Sequence, residues 1–250
     1  LSQLLSSATR ILALHGFTGE GADYSALSSC VGGSWTCPDL PGHGIHADAP
    51  AEDFRWEALE NQLLNLSGSP QIGIGYSMGG RLLLHLAIRN QSAFEKLVLI
   101  STSPGLPTLQ ERKDRRRADK RWIDLLHQEG ISSFLDQWWK QPVLQTLDQL
   151  PAPKRDALLE RRRQNKAQGL IHSLEHHGTG ALPSLWDKLI NIKIPTLICV
   201  GETDSKFNQI ASEMSDRLQN SHLSIVPHAG HSPHLENPED LASAILRFLK

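Results

Sequence analysis

The stretch Gly75-Tyr76-Ser77-Met78-Gly79-Gly80-Arg81 limits what this chain can fold into more than any other. It follows the apolar run 71–74 and opens a helical pattern that continues through Leu82, Leu83 and Leu86. Strand, tight turn and helix form the setting in which G-x-S-x-G reads as a nucleophile elbow. The glycines permit a sharp turn and close packing, and the turn lifts the serine hydroxyl above the strand ends. The rest of the chain keeps the same rhythm. Short apolar runs at 11–14, 35–37, 71–74, 97–100, 196–200 and 223–226 fit strands buried on both faces of a parallel sheet. Helical patterns at 54–66, 79–89, 210–218 and 241–250 fall between them, which predicts an α/β fold with right-handed crossovers.

The rhythm breaks between residues 103 and 186. That stretch holds no strand-like run, but it carries arginine-rich helical patterns, the adjacent Trp138 and Trp139, and prolines at 142, 151, 153 and 183. The expected organisation is one α/β core from residues 1–102 and 187–250, with residues 103–186 inserted as a helical cap. At 250 residues the length requires no second core.

A serine hydroxyl is a weak nucleophile or base at neutral pH, so Ser77 needs a histidine beside it and a carboxylate to orient that histidine. In this architecture they follow in the order Ser, acid, His. Run 196–200 ends in Gly201-Glu202-Thr203-Asp204, and run 223–226 ends in Pro227-His228-Ala229-Gly230-His231, so both candidates leave the carboxyl ends of strands, where ligand sites of such sheets lie. Asp204 is favoured over Glu202 because it sits past the turn, and His231 over His228, at the strand end, and His234, at the next turn. The first strand runs into His15-Gly16-Phe17, which nominates the backbone amides of Phe17 and Met78 as an oxyanion hole.

Arg81 lies one helical turn after Ser77 on the same face, where a guanidinium can hold a substrate carboxylate in a bidentate fork; an ion pair with the protein's own acid is the alternative. Arg115 falls on a stripe with Ala118, Asp119, Trp122 and Leu126, and Arg162 extends the stripe of Leu158 and Leu159. Their neighbours Arg116, Arg117, Arg161 and Arg163 read as solvated charge. With the Trp138-Trp139 pair, two such arginines turned toward the serine describe a pocket for a small organic polyanion. A net charge of -2 offers no general attraction for nucleic acid or an anionic membrane. Cys30, Cys37 and Cys199 suggest neither disulfides nor a thiolate metal site, and His172 and His176 form an i, i+4 pair without an expected carboxylate, so no metal and no cofactor is expected. The absence of a signal-type apolar segment or a long apolar span leads to the expectation of a cytoplasmic protein, taken as a monomer, with no nucleic-acid or membrane partner.

Several motifs together resemble one family: G-Y-S-M-G-G-R, H-G-F-T-G, D-L-P-G-H-G at 39–44, P-G-L at 104–106, W-W-K-Q-P-V at 138–143, G-E-T-D-S-K-F at 201–207 and A-G-H-S-P-H-L-E-N-P at 229–238. So does E-R followed by D-x4-D-x2-W within 111–122. The chain is similar along nearly its whole length to the 2-succinyl-6-hydroxy-2,4-cyclohexadiene-1-carboxylate synthases of menaquinone and phylloquinone biosynthesis. The resemblance implies the α/β-hydrolase fold: a mostly parallel central sheet flanked by helices and an inserted helical cap. With nine residues before the strand at 10–14, the fold's usual leading hairpin is expected to be abbreviated. It implies a carbon–oxygen lyase that eliminates pyruvate from 2-succinyl-5-enolpyruvyl-6-hydroxy-3-cyclohexene-1-carboxylate without consuming water. Ser77, Asp204 and His231 would form the general base, and Phe17 and Met78 would hold the developing oxyanion. Arg81, Arg115, Arg162, Tyr76 and Trp138 would bind substrate. Leu144 departs from the family pattern, which commonly has Phe there. A serine hydrolase of small acidic esters, thioesters or carbon–carbon bonds would use the same triad, and a triad-containing small-molecule receptor is a third reading.

Overall fold

The computed structural model describes residues 4–66 and 71–250. Its described strands form one parallel sheet of β1 (Leu5–Leu14), β2 (Gly32–Thr36), β3 (Gln71–Tyr76), β4 (Phe94–Ile100), β5 (Thr196–Gly201) and β6 (Ser221–Val226), in the order β2-β1-β3-β4-β5-β6. All six apolar runs fall on strands, with 35–37 displaced toward the end of β2. Alternation explains why the four central runs are apolar throughout, whereas the runs at 35–37 and 223–226, expected to be covered on both faces, fall instead on the edge strands β2 and β6, where Leu223 and Ile225 are exposed. Ile11, Ala13, Val98, Ile100, Leu197 and Cys199 pack on one face, against α1 (Ser25–Val31) and α9 (Pro238–Leu249), which follows the single turn of α8 (Pro233–Glu236). Leu12, Leu14, Leu97, Leu99, Ile198 and Val200 pack on the other, against α2 (Trp56–Asn65), α3 (Met78–Arg89) and α7 (Ser205–Arg217). A strand covered on both faces has no polar side to show.

β3 breaks that symmetry. Ile72, Ile74 and Tyr76 face α1 and α9, while Gly73 and Gly75 face α3. A Cβ on Gly75 would stand 2.5 Å from the Gly80 Cα, and one on Gly79 would stand 2.0 Å from the Leu14 carbonyl oxygen. The glycines therefore let α3 lie directly on the sheet, and this fixes the height at which Ser77 leaves the strand.

Between β4 and β5 the chain runs through α4 (Leu109–Trp138), α5 (Ala152–Arg163) and α6 (Ala167–His177). Thr108 caps α4 with a reciprocal Glu111 contact. Gly130 breaks the helix at φ 75°, ψ -170°, a region essentially restricted to glycine. Beyond the break, Phe134 and Leu135 fold back on Trp122, Leu126, Leu170 and Leu174, giving these helices an apolar cluster of their own, which Phe17 joins to the core. No described helix is long and apolar enough to cross a membrane.

Candidate active site

Ser77 sits between β3 and α3 at φ 49°, ψ -109°, a conformation that costs a non-glycine residue about 1–3 kcal/mol and persists only where its surroundings enforce it. Three hydrogen bonds do so. The Ser77 amide donates to the Ile100 carbonyl (2.9 Å), and the Ser77 carbonyl accepts from the Arg81 amide (3.1 Å) and from the Thr102 hydroxyl (2.6 Å).

The Ser77 hydroxyl stands 3.1 Å from His231 Nε2, and His231 Nδ1 donates to Asp204 Oδ2 at 2.7 Å. That bond assigns the tautomer, leaving Nε2 to accept the serine proton. Asp204 caps α7, its Oδ1 accepting from the Phe207 amide at 3.4 Å, so the helix end that follows β5 orients the carboxylate. The rival candidates have other tasks. Glu202 accepts from the His228 amide (3.0 Å), His228 is exposed at φ 53°, and His234 is fully buried against Tyr76, where burial lowers its pKa to about 3.

Ser77 and His231 line a cavity of about 570 Å³ between the sheet, α4 and α6, together with Phe17, Tyr76, Met78, Arg81, Arg115 and Trp138. Among the described residues no hydrogen bond occupies the Phe17 or Met78 amide. A Cβ placed on Gly16 would lie 3.5 Å from the Ser77 Cβ, which sets this loop directly over the serine. Tyr76 exchanges a 2.7 Å hydrogen bond with Ser232, and its hydroxyl pKa is raised by burial. Trp138 packs edge-on against Phe17 and Trp122.

Arg81 is buried, and Nη2 donates to the His177 carbonyl at the end of α6 (2.9 Å). Nε has no partner, and no described carboxylate lies within ion-pair distance. Burial, and then the charge of Arg115, lowers its pKa to about 10, so it remains a cation at neutral pH. A buried, unneutralised guanidinium beside a reactive serine is costly unless a ligand supplies the anion. Arg115 is half-buried and holds Asp119 at 2.8 Å while reaching the cavity.

Arg162 departs from expectation. It does not line the cavity; its Nη2 donates to the buried Asp23 carboxylate at 2.6 Å, and Nη1 has no partner. Burial alone would raise the Asp23 pKa, but the charge and hydrogen bond of Arg162 override it and bring it to about 2. Helical periodicity placed Arg162 on an inward face without saying what occupied that space. Two supposedly solvated neighbours are also engaged: Arg161 pairs with Glu20 (2.5 Å) and Asp23 (3.3 Å), and Arg116 donates to the Gly180 carbonyl (2.5 Å). Arg117 and Arg163 make only exposed pairs with Asp114 and Glu160. Of the tryptophan pair, only Trp138 lines the cavity, because the Trp139 indole donates to Asp148 (2.8 Å). Leu144 lines the cavity as an aliphatic wall.

Sequence reasoning missed a second cationic wall. Lys206, Ile210, Glu213 and Arg217 all reach the cavity from α7, and their i, i+4, i+7, i+11 spacing was the available signal. Away from the cavity, Glu175 joins His172 and His176, all three ligand atoms lying within 4.8 Å of one another, so the pair does have a carboxylate at hand. Glu175 lies 3.4 Å from His172, whose other ring nitrogen contacts Gln168 (2.9 Å).

Residues 11–244 match the model of the Alpha/beta hydrolase family. A 2-succinyl-6-hydroxy-2,4-cyclohexadiene-1-carboxylate synthase of Citrobacter koseri is 32% identical, covering 95% of this chain and 92% of that protein. Among solved structures, MenH from S. aureus superposes with a TM-score of 0.89 at 30% identity, covering 98% of this chain and 94% of that one. An esterase from Thermogutta terrifontis, at 22% identity and a TM-score of 0.78 over 97% of this chain and 90% of its own, shares the fold. A family model spanning most of the chain and a 32%-identical relative along nearly all of it place the protein in the alpha/beta hydrolase family and, within it, among the 2-succinyl-6-hydroxy-2,4-cyclohexadiene-1-carboxylate synthases.

Proposed function

We propose that this chain eliminates pyruvate from 2-succinyl-5-enolpyruvyl-6-hydroxy-3-cyclohexene-1-carboxylate, with the Ser77-His231-Asp204 triad as general base. The observation that carries the reading is Arg81, a buried cation on the helix that bears the serine, without a carboxylate of its own. A hydrolase of neutral esters needs the triad and the oxyanion amides but has no use for such a charge; a polyanionic substrate does.

His231 Nε2 takes the Ser77 hydroxyl proton, and the serine oxygen takes the proton from ring carbon 2, next to the succinyl carbonyl. The C–H electron pair moves into that carbonyl, and the Phe17 and Met78 amides hold the resulting oxyanion. Collapse of the enolate forms the 2,3 double bond, shifts the 3,4 double bond to 4,5 and breaks the carbon–oxygen bond at ring carbon 5. Enolpyruvate leaves, takes a proton and tautomerises to pyruvate, so atoms balance without water. Asp204 keeps the imidazole in the accepting tautomer and stabilises the imidazolium while it carries the proton. Arg81 and Arg115 bind substrate carboxylates, and Trp138 and Tyr76 wall the ring.

The test is to supply the enolpyruvyl substrate and follow pyruvate release together with the absorbance of the conjugated diene. One pyruvate per diene is expected, and Ser77→Ala should lower kcat by roughly 10²–10⁴, the usual range for loss of a positioned base. Absence of pyruvate release from folded protein overturns the proposal.

A further inference from the structure

The loop that carries the Phe17 amide is gripped on its outer side by α5 and the turn that follows it. Asn165, buried just past the end of α5, donates from Nδ2 to the Thr18 carbonyl (3.0 Å) and accepts at Oδ1 from the Gly44 amide (3.0 Å). Both ends of one side chain from the inserted region are thus spent on two separate core loops. Thr18 is held at φ 66°, an uncommon conformation for a residue with a side chain, and it is buried. One turn before Asn165, Arg162 grips the Asp23 carboxylate (2.6 Å), which also accepts from the Glu20 amide (3.2 Å).

The inner side of the loop is fixed as well. Leu40 donates its amide to His15 Nε2 (2.9 Å), which leaves the His15 proton on Nδ1 to donate to the Gly16 carbonyl (2.8 Å), and the Gly19 amide donates to the same carbonyl (2.9 Å). The carbonyls of Gly16 and Thr18 are therefore engaged, while the Phe17 amide between them has no partner among the described residues. The Phe17 N–H shares one planar peptide with the Gly16 carbonyl and points opposite to it, so the bonds from His15 and the Gly19 amide to that carbonyl set its direction. The Gly19 amide in turn shares its peptide plane with the Thr18 carbonyl that Asn165 holds, so Asn165 fixes one of the two donors that aim the Phe17 N–H.

We propose that Asn165, supported by Arg162, is a positioning residue for the Phe17 oxyanion donor, so that this donor is correctly aimed only when α5 is seated on the core. The inference rests on the reading that Phe17 holds an oxyanion above Ser77. It assigns Arg162 a task it can perform from Asp23, outside the cavity.

The test uses a reaction that needs the oxyanion hole but not the natural substrate. A fluorophosphonate phosphonylates an activated serine: the Ser77 oxygen–phosphorus bond forms, the phosphorus–fluorine bond breaks, fluoride leaves and His231 takes the hydroxyl proton, while the phosphoryl oxygen sits where the oxyanion would. Asn165→Ala should slow both phosphonylation and kcat for pyruvate release by about 10-fold or more, part of the 10²–10³ expected for deleting a donor outright, with KM within two-fold. Asn165→Asp, which keeps the acceptor for Gly44 and loses the donor to Thr18, should show the same pattern, and Arg163→Ala should match the parent in both assays. Folding is checked by circular dichroism, and either Asn165 variant suffices if the other does not fold. Unchanged phosphonylation in a folded Asn165 variant overturns the proposal, as does a rise in KM with kcat unchanged. A parent protein that is phosphonylated but releases no pyruvate fails the elimination reading alone and leaves the slowing in the Asn165 variants as the measure of this one.

Discussion

Arg81 concentrates the argument at the scale of single residues. The guanidinium is anchored through Nη2 to the His177 carbonyl, so its remaining donors are held rather than swinging, and a bound carboxylate gains a preorganised partner. Removing a charge-assisted contact to a desolvated partner costs about 2–5 kcal/mol, and a decade of rate corresponds to about 1.4 kcal/mol. Arg81→Ala should therefore lower kcat/KM for pyruvate release by about 30-fold or more, whereas Arg163→Ala, which loses only an exposed 3.5 Å pair with Glu160, should stay within a few-fold of the parent. Steady-state kinetics on the two variants decide it, and equal losses would remove the case for Arg81 as the carboxylate ligand. The triad was legible because chain order, strand ends and the need for a base converge on Ser77, Asp204 and His231, which the structure brings within 3.1 Å and 2.7 Å of their partners. Arg162 was not legible in the same way. Its partner Asp23 lies 139 residues away in sequence, and helical periodicity names an inward face without naming what waits there.

At the scale of elements, α5 and the loop after β1 are joined by a buried ion pair whose pH dependence has a definite sign. The Asp23 carboxyl falls from 3.8 to about 2 in the folded protein because Arg162 outweighs the opposing effect of burial. A depressed carboxyl contributes stability that is fully present above its unfolded pKa and is lost as pH falls through the folded value. At 1.36 kcal/mol per unit, the difference amounts to about 2 kcal/mol, withdrawn between about pH 4 and pH 2. In Arg162→Ala the largest of the influences that lower the Asp23 pKa is gone, leaving the weaker contacts from Arg161 (3.3 Å) and the Glu20 amide (3.2 Å) against burial, which favours the neutral acid. Urea unfolding of parent and variant should show a stability gap that is wide at pH 6 and narrows steadily as the pH is lowered from about 4 toward 2. A gap independent of pH would mean that Arg162 stabilises through packing alone. The sequence announced that the region between β4 and β5 is helical, because strand-like runs stop and prolines punctuate it. It did not announce that Arg161, Arg162 and Asn165 would face the loop after β1, since such pairings depend on how two elements distant in the chain are docked.

At the scale of the whole molecule, the fold is shared more widely than any one reaction. An esterase that shares 22% identity superposes with a TM-score of 0.78, and fold alone does not separate hydrolysis from elimination. The difference must lie in what the serine oxygen is offered. In a hydrolase it meets an electrophilic carbonyl and forms an acyl-enzyme that water later cleaves. In the cavity proposed here Arg81 holds the polyanion so that the serine oxygen meets an acidic C–H beside a carbonyl, and the proton is taken without a bond to carbon. During turnover of the enolpyruvyl substrate, rapid quench and intact-mass analysis should therefore show unmodified protein at every time point. The same preparation treated with a fluorophosphonate should gain one adduct, lost in Ser77→Ala, which demonstrates that the oxygen is competent to form a covalent bond when given an electrophile. A succinyl or pyruvyl adduct on Ser77 that forms and decays at the turnover rate would assign the chain to covalent catalysis and reverse the role given to the serine. Absence of both adducts would mean instead that the 3.1 Å contact with His231 does not activate Ser77 in solution.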